Sequence, residues 1–329
     1  MRYFITGGAG FIGSHLSDRL IADGHHVHVY DNLSTGRLDN VRHLSDHDRF
    51  AITVGDVLDL GRMRELVRKS DRIVHLAAAV GVRLIMEKPV ETITTNVGGT
   101  EAILKLASER DIPILIASTS EVYGKLMDTQ DGLESLSEDS DWRLGPTSKR
   151  RWAYACSKAM DEFLALAYAA EKQLPVICAR FFNTVGPRQS GEYGMVIPRF
   201  VQRAMLDEPI VVYGDGAQTR CFNHVSDAVD GVVRLLDEPK AYGEVFNVAN
   251  TNEISVTDLA RRIRELAGSS SELHYVPFSE VFAHGFEDMQ RRTPNLTKIR
   301  SLTGYDPKHT IDDIILSVID YFKHNSVPI

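Results

Sequence analysis

The chain has 329 residues, a length that predicts about two domains of ordinary size. Its 37 Lys and Arg residues against 45 Asp and Glu residues give a net charge of −8, and no long basic run points to nucleic acid as a partner. Apolar residues make up 43% of the chain and charged residues 25%, which argues against a disordered or fibrous protein. No apolar run approaches the roughly 20 residues of a membrane-spanning helix, so no membrane contact is expected.

Cysteine and histidine are poorly arranged for disulfides or metal binding. The 3 cysteines are far apart, and no predicted helix carries a His-x-x-x-His pair with a nearby acidic residue. The first apolar run, residues 2–6, begins too early for a cleaved leader to precede it. We therefore predict a cytoplasmic protein without a metal site.

The first half of the chain alternates short, β-rich apolar runs with amphipathic stretches. Apolar strands separated by helices of this length are typical of βαβ units and of a parallel sheet covered on both faces. We predict strands at residues 2–6, 26–30, 50–54, 72–76, 113–118 and 175–181, and helices at residues 11–23, 62–69, 90–109 and 153–171.

After residue 183 the pattern loosens, and residues 186–194 are predicted to form a loop over a ligand. Residues 125–151 are charged and turn-rich, which predicts an exposed excursion. The fold class is α/β, a doubly wound parallel sheet with a smaller, discontinuous α+β substrate-binding domain. The sheet domain is assigned residues 1–185 and 222–250, and the second domain residues 186–221 and 251–329. The later predicted elements are helices at 196–206, 227–236, 256–266 and 311–322 and strands at 210–213 and 245–248.

A glycine-rich turn follows the first predicted strand and opens the first helix. Gly7, Gly10 and Gly13 allow a tight turn, expose backbone N–H groups to a pyrophosphate and bring the helix close to the sheet. Asp31 closes the second strand, where a carboxylate accepts both ribose hydroxyls and repels a 2′-phosphate, which favours NAD over NADP. The expected sheet is therefore of the Rossmann type. The predicted cofactor-binding residues are Gly7, Gly10, Phe11, Ile12, Gly13, Asp31, Asn32, Asp56, Val57, Ala77 and Lys158.

Tyr154 and Lys158 stand four residues apart on a predicted helix, so their side chains point the same way. A neighbouring ammonium and a positive nicotinamide ring lower the pKa of a phenol and make it a usable base. Tyr154 is then expected to take a hydroxyl proton while hydride passes from the same carbon to NAD, with Thr119 bonded to that hydroxyl. The spacing also arises by chance on amphipathic helices, but its position after a dinucleotide fingerprint favours the catalytic interpretation.

Five segments carry a family resemblance: Gly-Gly-Ala-Gly-Phe-Ile-Gly at 7–13, Asp-Asn-Leu-Ser-Thr-Gly at 31–36, Tyr-Ala-Cys-Ser-Lys at 154–158, Arg-Phe-Phe-Asn at 180–183 with Gly-Pro-Arg at 186–188, and Val-Tyr-Gly-Asp-Gly-Ala-Gln-Thr-Arg at 212–220. Together they resemble the extended short-chain dehydrogenase/reductases that act on nucleotide sugars. The resemblance implies tightly held NAD, a UDP-sugar or other nucleoside-diphosphate sugar between the domains, and a transient 4-keto sugar. It also implies substrate contacts by Asn183, Arg188 and Arg220, and a homodimer formed through the helices at 90–109 and 153–171.

The residues beside C5 and C6 of the sugar decide which reaction follows oxidation at C4. Thr119, Ser120 and Glu121 resemble the corresponding trio of UDP-glucuronate decarboxylases, whereas many 4-epimerases carry small residues in place of Glu121. Segments 145–154 and 285–294 resemble bacterial decarboxylases that make a 4-keto-arabinose precursor and plant UDP-apiose/xylose synthases. In that frame Arg292 faces the sugar carboxylate, and Glu121 favours its loss by repulsion. The predicted catalytic residues are Thr119, Ser120, Glu121, Tyr154, Lys158 and Arg292.

The favoured hypothesis is a UDP-glucuronate decarboxylase. A UDP-sugar or UDP-uronate 4-epimerase and an NDP-hexose 4,6-dehydratase stay as alternatives, because residues 79–88 depart from the decarboxylase pattern and Arg83 is a candidate to recognise a different sugar group. Structural roles also stand, with Glu121 as a turn-capping acid and Arg292 as a surface partner of Glu287 or Asp288. A non-catalytic NAD-sensing regulator is a remote alternative, since such proteins often lose the Tyr or Lys that this chain keeps.

Overall fold

The computed structural model describes residues 1–191, 195–281 and 288–325, without the side chains of residues 82 and 83. Its strands are β1 (Arg2–Thr6), β2 (His26–Asp31), β3 (Phe50–Val54), β4 (Arg72–His75), β5 (Ile114–Thr119), β6 (Val176–Phe181), β7 (Thr184–Val185), β8 (Ile210–Tyr213), β9 (Thr219–Cys221), β10 (Asn223–His224), β11 (Glu244–Val248), β12 (Glu253–Ser255) and β13 (Leu273–Val276). Its helices are α1 (Phe11–Ala22), α2 (Leu60–Val67), α3 (Val82–Glu87), α4 (Pro89–Ser108), α5 (Leu126–Thr129), α6 (Trp152–Lys172), α7 (Val196–Met205), α8 (Val225–Leu236), α9 (Val256–Ala267), α10 (Phe278–Val281), α11 (Thr297–Thr303) and α12 (Ile311–His324).

The largest sheet has seven strands in the order β11-β6-β5-β4-β1-β2-β3, and every pair in it is parallel. The strand order changes direction between β1 and β4, where the carboxyl ends of the strands leave a crevice for a ligand. This arrangement confirms the predicted Rossmann-type, doubly wound sheet. The late strand β11 returns to the sheet beside β6, as its apolar sequence predicted.

Successive side chains of the central strands point to opposite faces of the sheet, and each face is buried under helices. Tyr3 and Ile5 of β1 belong to one apolar core, together with Leu16 of α1. Phe4, between them, belongs to the other core, together with Ile103 of α4. The continuous apolar run of β1 is therefore explained by burial on both sides.

A third core lies outside the large sheet, where α7, α9 and α12 pack around β8. Phe200, Leu259 and Ile315, one from each helix, are fully buried there. This core draws on separate stretches of the chain, in keeping with the predicted discontinuous second domain. The packing crosses the predicted boundaries in both directions: Ile299 and Tyr305 pack into the sheet core, and Val185 and Phe222 pack into the third core.

The segment 125–151 is less exposed than predicted. Leu126 and Leu136 are buried, and the N–H of Leu136 donates to the carbonyl oxygen of Thr293 at 2.8 Å. Arg151, at the end of this segment, is also buried. The prediction is wrong at these positions because they are covered by a stretch of chain more than a hundred residues away. This packing brings Arg292 next to the end of β5.

Candidate active site

The glycine turn between β1 and α1 has the shape of a phosphate cradle. Gly7 has a φ of +70°, and its N–H donates to the carbonyl oxygen of Tyr30 at 2.9 Å. A Cβ at Gly13 would lie 2.4 Å from the carbonyl oxygen of Gly7, and a Cβ at Gly7 would lie 2.7 Å from the backbone nitrogen of Ala77. Because no side chain fits at either position, the backbone at the start of α1 is open to a pyrophosphate.

Asp31 lies at the end of β2 and faces the glycine turn. Its carboxylate accepts hydrogen bonds from the N–H groups of Ala9 at 3.0 Å and Leu33 at 2.8 Å. Burial raises the pKa of Asp31, and these backbone donors oppose the rise. A Cβ at Gly36 would come within 2.8 Å of both carboxylate oxygens, so glycine is required beside them.

The remaining predicted cofactor residues line the same edge of the sheet. The side-chain amide of Asn32 donates to the carboxylate of Asp56 at 3.2 Å. Val57 is buried against Gly99 of α4. Phe11 and Ile12 open α1, and both pack against the first core. The glycine turn leaves room for a pyrophosphate, and the Asp31 carboxylate is held in place by backbone N–H groups at the neighbouring strand end. Together these features fit a dinucleotide.

Tyr154 lies on α6 beside the end of β5 and is only 7% exposed. Burial raises its pKa, and the carboxylates of Glu121 and Asp161 raise it further. The Arg151 guanidinium and a hydrogen bond with the Thr119 side chain act in the opposite direction. In the protein without a cofactor, Tyr154 is therefore a protonated phenol, and it needs added positive charge to act as a base.

Lys158 and Asp161 form a buried ion pair one helical turn beyond Tyr154. The ammonium nitrogen lies 2.6 Å from Oδ2 of Asp161, with both side chains almost inaccessible to water. Oδ1 of Asp161 is buried, and no hydrogen-bond partner for it is found among the described residues. His75 lies nearby; burial and the Lys158 charge lower its pKa to about 3, so it stays neutral.

A cavity of about 220 Å³ lies between the sheet and the third core. Apolar side chains such as Val80, Ile85 and Phe222 form part of its wall. Its polar lining converges on the carboxyl end of β5, which is where a sugar could meet Tyr154. This polar lining includes Glu121, Arg151, Tyr154, Asn183, Arg220, Asp288 and Arg292.

Glu121 is held by Arg151 in a two-point ion pair. Both terminal nitrogens of Arg151 donate to the carboxylate, one of them at 2.8 Å, and the Arg151 side chain is 3% exposed. Burial alone raises the pKa of Glu121, but Arg151, with Arg292 and Arg220 after it, holds that pKa below its usual value. Glu121 is thus a partly buried carboxylate within a set of guanidinium groups.

Arg292 also lines the cavity, and its positive charge is balanced less closely by a carboxylate than that of Arg151. Its guanidinium lies 3.9 Å from Glu121, and it donates to Ser120 Oγ at 3.2 Å and to Asn183 Oδ1 at 3.4 Å. Its Nε is buried, and no hydrogen-bond partner for it is found in the part of the chain that the structure describes. Burial and the Arg220 charge lower the pKa of Arg292 to about 10. The interpretation of Arg292 as an exposed surface arginine therefore does not fit its position.

The other predicted substrate residues are placed differently from one another. Arg220 lines the cavity and pairs with Asp288 at 2.8 Å. Asn183 also lines it, with its amide bonded to the carbonyl oxygen of Cys221 at 2.9 Å. Arg188 instead pairs with Asp18 of α1 at 2.7 Å and is not among the described residues of the cavity wall. The side chain of Arg83 and the segment 285–287 of the carboxylate-binding frame lie outside the described residues.

Comparison with known proteins decides the family. A family model described as GDP-mannose 4,6 dehydratase matches residues 4–318. The chain belongs to this family. It is 42% identical over 323 residues to the UDP-N-acetyl-alpha-D-glucosaminuronate decarboxylase of Bacillus cytotoxicus, covering 98% of each chain. It is 36% identical over 322 residues to UDP-glucuronic acid decarboxylase 1 of Xenopus tropicalis, covering 98% of this chain and 72% of the relative.

A solved structure agrees with the same assignment. The UDP-glucuronic acid 4-epimerase of Bacillus cereus, in complex with UDP-glucuronic acid and NAD, superposes with a TM-score of 0.86 at 28% identity, covering 98% of this chain and 99% of the other. These findings confirm the predicted extended short-chain dehydrogenase/reductase type and an NAD-dependent nucleotide-sugar enzyme.

Two site residues of this GDP-mannose 4,6 dehydratase family member were not among the predicted ones. Arg151 stood in a segment that we compared with relatives, but nothing in the sequence pairs it with Glu121. Asp161 follows Lys158 by three residues, a spacing that places both on one helix face, so this signal was available. Each pair matters because it is shielded from water, and that shielding is set by the fold rather than by the local sequence.

Two features are absent from the described ranges, 1–191, 195–281 and 288–325. These ranges contain no helix with both the length and the apolar character to cross a bilayer. They also contain no group of three or more His, Cys, Asp or Glu side chains that could hold a metal ion.

Proposed function

We propose that this protein is an NAD-dependent UDP-uronate decarboxylase. It oxidises C4 of a UDP-hexuronate to a ketone, and the resulting β-keto acid then loses its C6 carboxylate as carbon dioxide. The family membership and the two decarboxylase relatives support this reaction.

The observation that carries the proposal is the guanidinium of Arg292, whose positive charge is only weakly balanced by its neighbours. It is buried in the cavity wall, its neighbours Ser120 and Asn183 are neutral, and Glu121 is already engaged by Arg151. A buried cation whose carboxylate neighbour, at 3.9 Å, already pairs with another guanidinium is only partly compensated, and a further anion stabilises it. A planar guanidinium binds a carboxylate through two parallel hydrogen bonds, so the C6 carboxylate of a uronate fits this position.

Tyr154 acts first, by taking the proton of the C4 hydroxyl. NAD, when bound, supplies the hydride acceptor and a positive ring that offsets the burial of the phenol. Lys158 adds its ammonium charge to that effect, and Thr119 bonds to the reacting oxygen. The predicted glycine turn, Asp31, Asn32, Asp56, Val57 and Ala77 hold the cofactor.

Decarboxylation then breaks the C5–C6 bond. The electron pair of that bond passes to C5 and is delocalised into the C4 ketone as an enolate, and a proton at C5 completes the 4-keto pentose. Arg292 orients the carboxylate before it leaves, and the carboxylate of Glu121 beside it favours conversion of the charged group to neutral carbon dioxide. Arg220 and Asn183 hold the diphosphate end of the substrate, whose oxygens suit a guanidinium.

The substrate class is a UDP-uronate with either a hydroxyl or an acetamido group at C2. Our sequence hypothesis was UDP-glucuronate, and the relative at 42% identity carries the N-acetylated sugar in its name. The test is incubation of the purified protein with UDP-glucuronate, UDP-N-acetylglucosaminuronate and UDP-glucose, followed by mass spectrometry. A product that has lost one carbon dioxide from a uronate supports the proposal. It is lighter by carbon dioxide alone where the hydride returns to C4, and by carbon dioxide and two hydrogen atoms where the 4-keto pentose is released with the hydride left on the cofactor.

The second candidate is a UDP-uronate 4-epimerase, favoured by the structural match to such an enzyme and by the same Arg292 position. It predicts a product of unchanged mass. Loss of water from an NDP-hexose would indicate a 4,6-dehydratase, and no turnover with cofactor bound would indicate a regulator.

A variant of Arg292 tests recognition of the substrate carboxylate separately from general binding of the nucleotide sugar. Replacement of Arg292 by Met should lower kcat/KM for the uronate by about 30-fold or more, since a charge-assisted hydrogen bond contributes about 2 kcal/mol. R291M is the matched control, because Arg291 is half-exposed and pairs with Glu253 instead. An equal loss in both variants would contradict the assignment.

We also propose the homodimer and the cytoplasmic location that the sequence analysis predicted. The exposed apolar side chains Val90 of α4 and Met160 and Phe163 of α6 support the dimer, since they lie on the two helices assigned to it.

A further inference from the structure

The Arg151–Glu121 ion pair joins two elements of the candidate active site, helix α6 and strand β5. Arg151 directly precedes α6 and stands three residues before Tyr154, whereas Glu121 follows β5 by two residues. The pair therefore ties the start of the catalytic helix to the end of the strand that carries Thr119. Both carboxylate oxygens of Glu121 are taken by the two terminal nitrogens of Arg151.

The charged and titratable groups around Glu121 come from three parts of the chain: the start of α6, strand β9 and the segment before α11. Arg151 approaches from the start of α6, Arg292 from the segment before α11 at 3.9 Å, and Arg220 from β9. Tyr154 lies on α6, and the Asp288 carboxylate pairs with Arg220 at 2.8 Å. Of the three guanidinium groups, Arg151 is the one in direct hydrogen-bond contact with Glu121.

Each of these groups has a different principal partner. Asp288 is committed to Arg220, and Arg292 contacts the neutral groups Ser120 and Asn183. Without Arg151, Glu121 would be a partly buried carboxylate whose nearest cation is the guanidinium that the substrate carboxylate needs. Burial disfavours the charged form of such a group.

We propose that Arg151 is a positioning residue of the reaction, which keeps Glu121 ionised and fixes both of its oxygens while leaving Arg292 to the substrate. This inference rests on the proposed function, because it assigns the ionised form of Glu121 to the decarboxylation step. Arg151 itself touches neither the reacting carbon nor the hydride acceptor in this scheme.

The test is the dependence of kcat on pH in a set of variants. In the wild-type protein the pKa of Glu121 lies below its usual value, so Glu121 is ionised throughout the neutral range. In R151M the principal opposing charge is gone, and burial is opposed by Arg292 and Arg220 alone, so the pKa of Glu121 rises and it takes a proton at higher pH. The acidic limb of the kcat profile should therefore move up by about one pH unit or more.

Three further variants separate this effect from a structural one. R151K keeps the positive charge but cannot donate two parallel hydrogen bonds to the carboxylate. The acidic limb of its kcat profile should therefore lie between those of the wild type and R151M. In R151M/E121Q the shift should be absent relative to E121Q, since no carboxyl is left to titrate. R150M is the matched control, because Arg150 is exposed, and its profile should coincide with that of the wild type.

Infrared titration gives a readout that needs no turnover. At pH 5, R151M should show a stronger protonated carboxyl band than either the wild type or R151M/E121Q. If R151M does not fold, as judged by circular dichroism, R151K carries the same titration with a smaller displacement. A failed decarboxylase assay with this band present would refute the proposed function but not the ion-pair role.

Two results would overturn the inference. One is a loss of kcat in R151M that is equal at all pH values, which would indicate a structural role only. The other is a pH shift that persists in the E121Q background, which would locate the titrating group elsewhere.

Discussion

At the scale of single residues, the buried Lys158–Asp161 pair has a direct consequence for stability. The two side chains are 3% and 0% exposed, and their charged atoms lie 2.6 Å apart. Removing one partner of such a pair leaves an uncompensated buried charge, which costs about 3 kcal/mol or more. We therefore expect D161N to lower the free energy of unfolding by about 3 kcal/mol, measured by urea denaturation.

The control for this prediction is E171Q, an exposed position on the same helix, which should change the free energy of unfolding by about 0.5 kcal/mol or less. Replacement of the pair by two apolar residues, K158M/D161L, should recover much of the lost stability while abolishing turnover. D161N as stable as E171Q would show that the pair does not contribute.

Which residues lie close together is predictable from the sequence where a motif is local. Tyr154 and Lys158 share a helix turn, and the glycine turn and Asp31 close neighbouring strands, so their proximity follows from spacing alone. Glu121 and Arg292 were proposed as partners of the substrate only by family resemblance. Arg151 was missed because its partner is 30 residues away and its burial depends on chain that packs over it from the C-terminal third.

At the scale of elements, the turn between β1 and α1 is the part most sensitive to added volume. In G13A the new methyl group would meet the carbonyl oxygen of Gly7 at 2.4 Å and the Cα of Gly8 at 2.6 Å. The turn has to open, which should cost about 1–3 kcal/mol of stability and most of the bound cofactor. The measurement is the NAD content of the purified protein after gel filtration.

G61A is the matched control, because a Cβ at Gly61 meets only the Asp59 side chain, at 3.5 Å, and alanine favours the helix there. It should retain the wild-type NAD content. Full retention by G13A as well would contradict the assignment of this turn as the cofactor cradle.

Prediction at this scale was accurate for the large sheet and incomplete elsewhere. The strands β1 to β6 are short runs rich in apolar and β-branched residues, and the long helices α4 and α6 are periodic, so both signals are strong. The short strands β7, β9, β10 and β12 have two or three residues each and were missed. Such strands are defined by the partner they pair with rather than by their own sequence.

At the scale of the whole molecule, the candidate site is a consequence of two cores meeting. The sheet provides the cofactor edge, and helix α6 provides Tyr154. The cavity wall also draws on Val196 and Val256, which belong to the third core or pack against it. The sequence predicted a discontinuous second domain but not that residues 296–305 return to the sheet core. The apolar face of a helix does not indicate which of two cores it packs into. Arg292 reaches the sheet because this stretch crosses back.

The most direct test of the central claim follows a single carbon atom. UDP-glucuronate and UDP-N-acetylglucosaminuronate carrying carbon-13 at C6 should, with the purified protein and NAD, release the label as carbon dioxide from at least one of the two. The same experiment with Y154F should release none, because C4 is not oxidised. Label that stays in a nucleotide sugar of unchanged mass, under conditions where the protein turns the substrate over, would contradict decarboxylation.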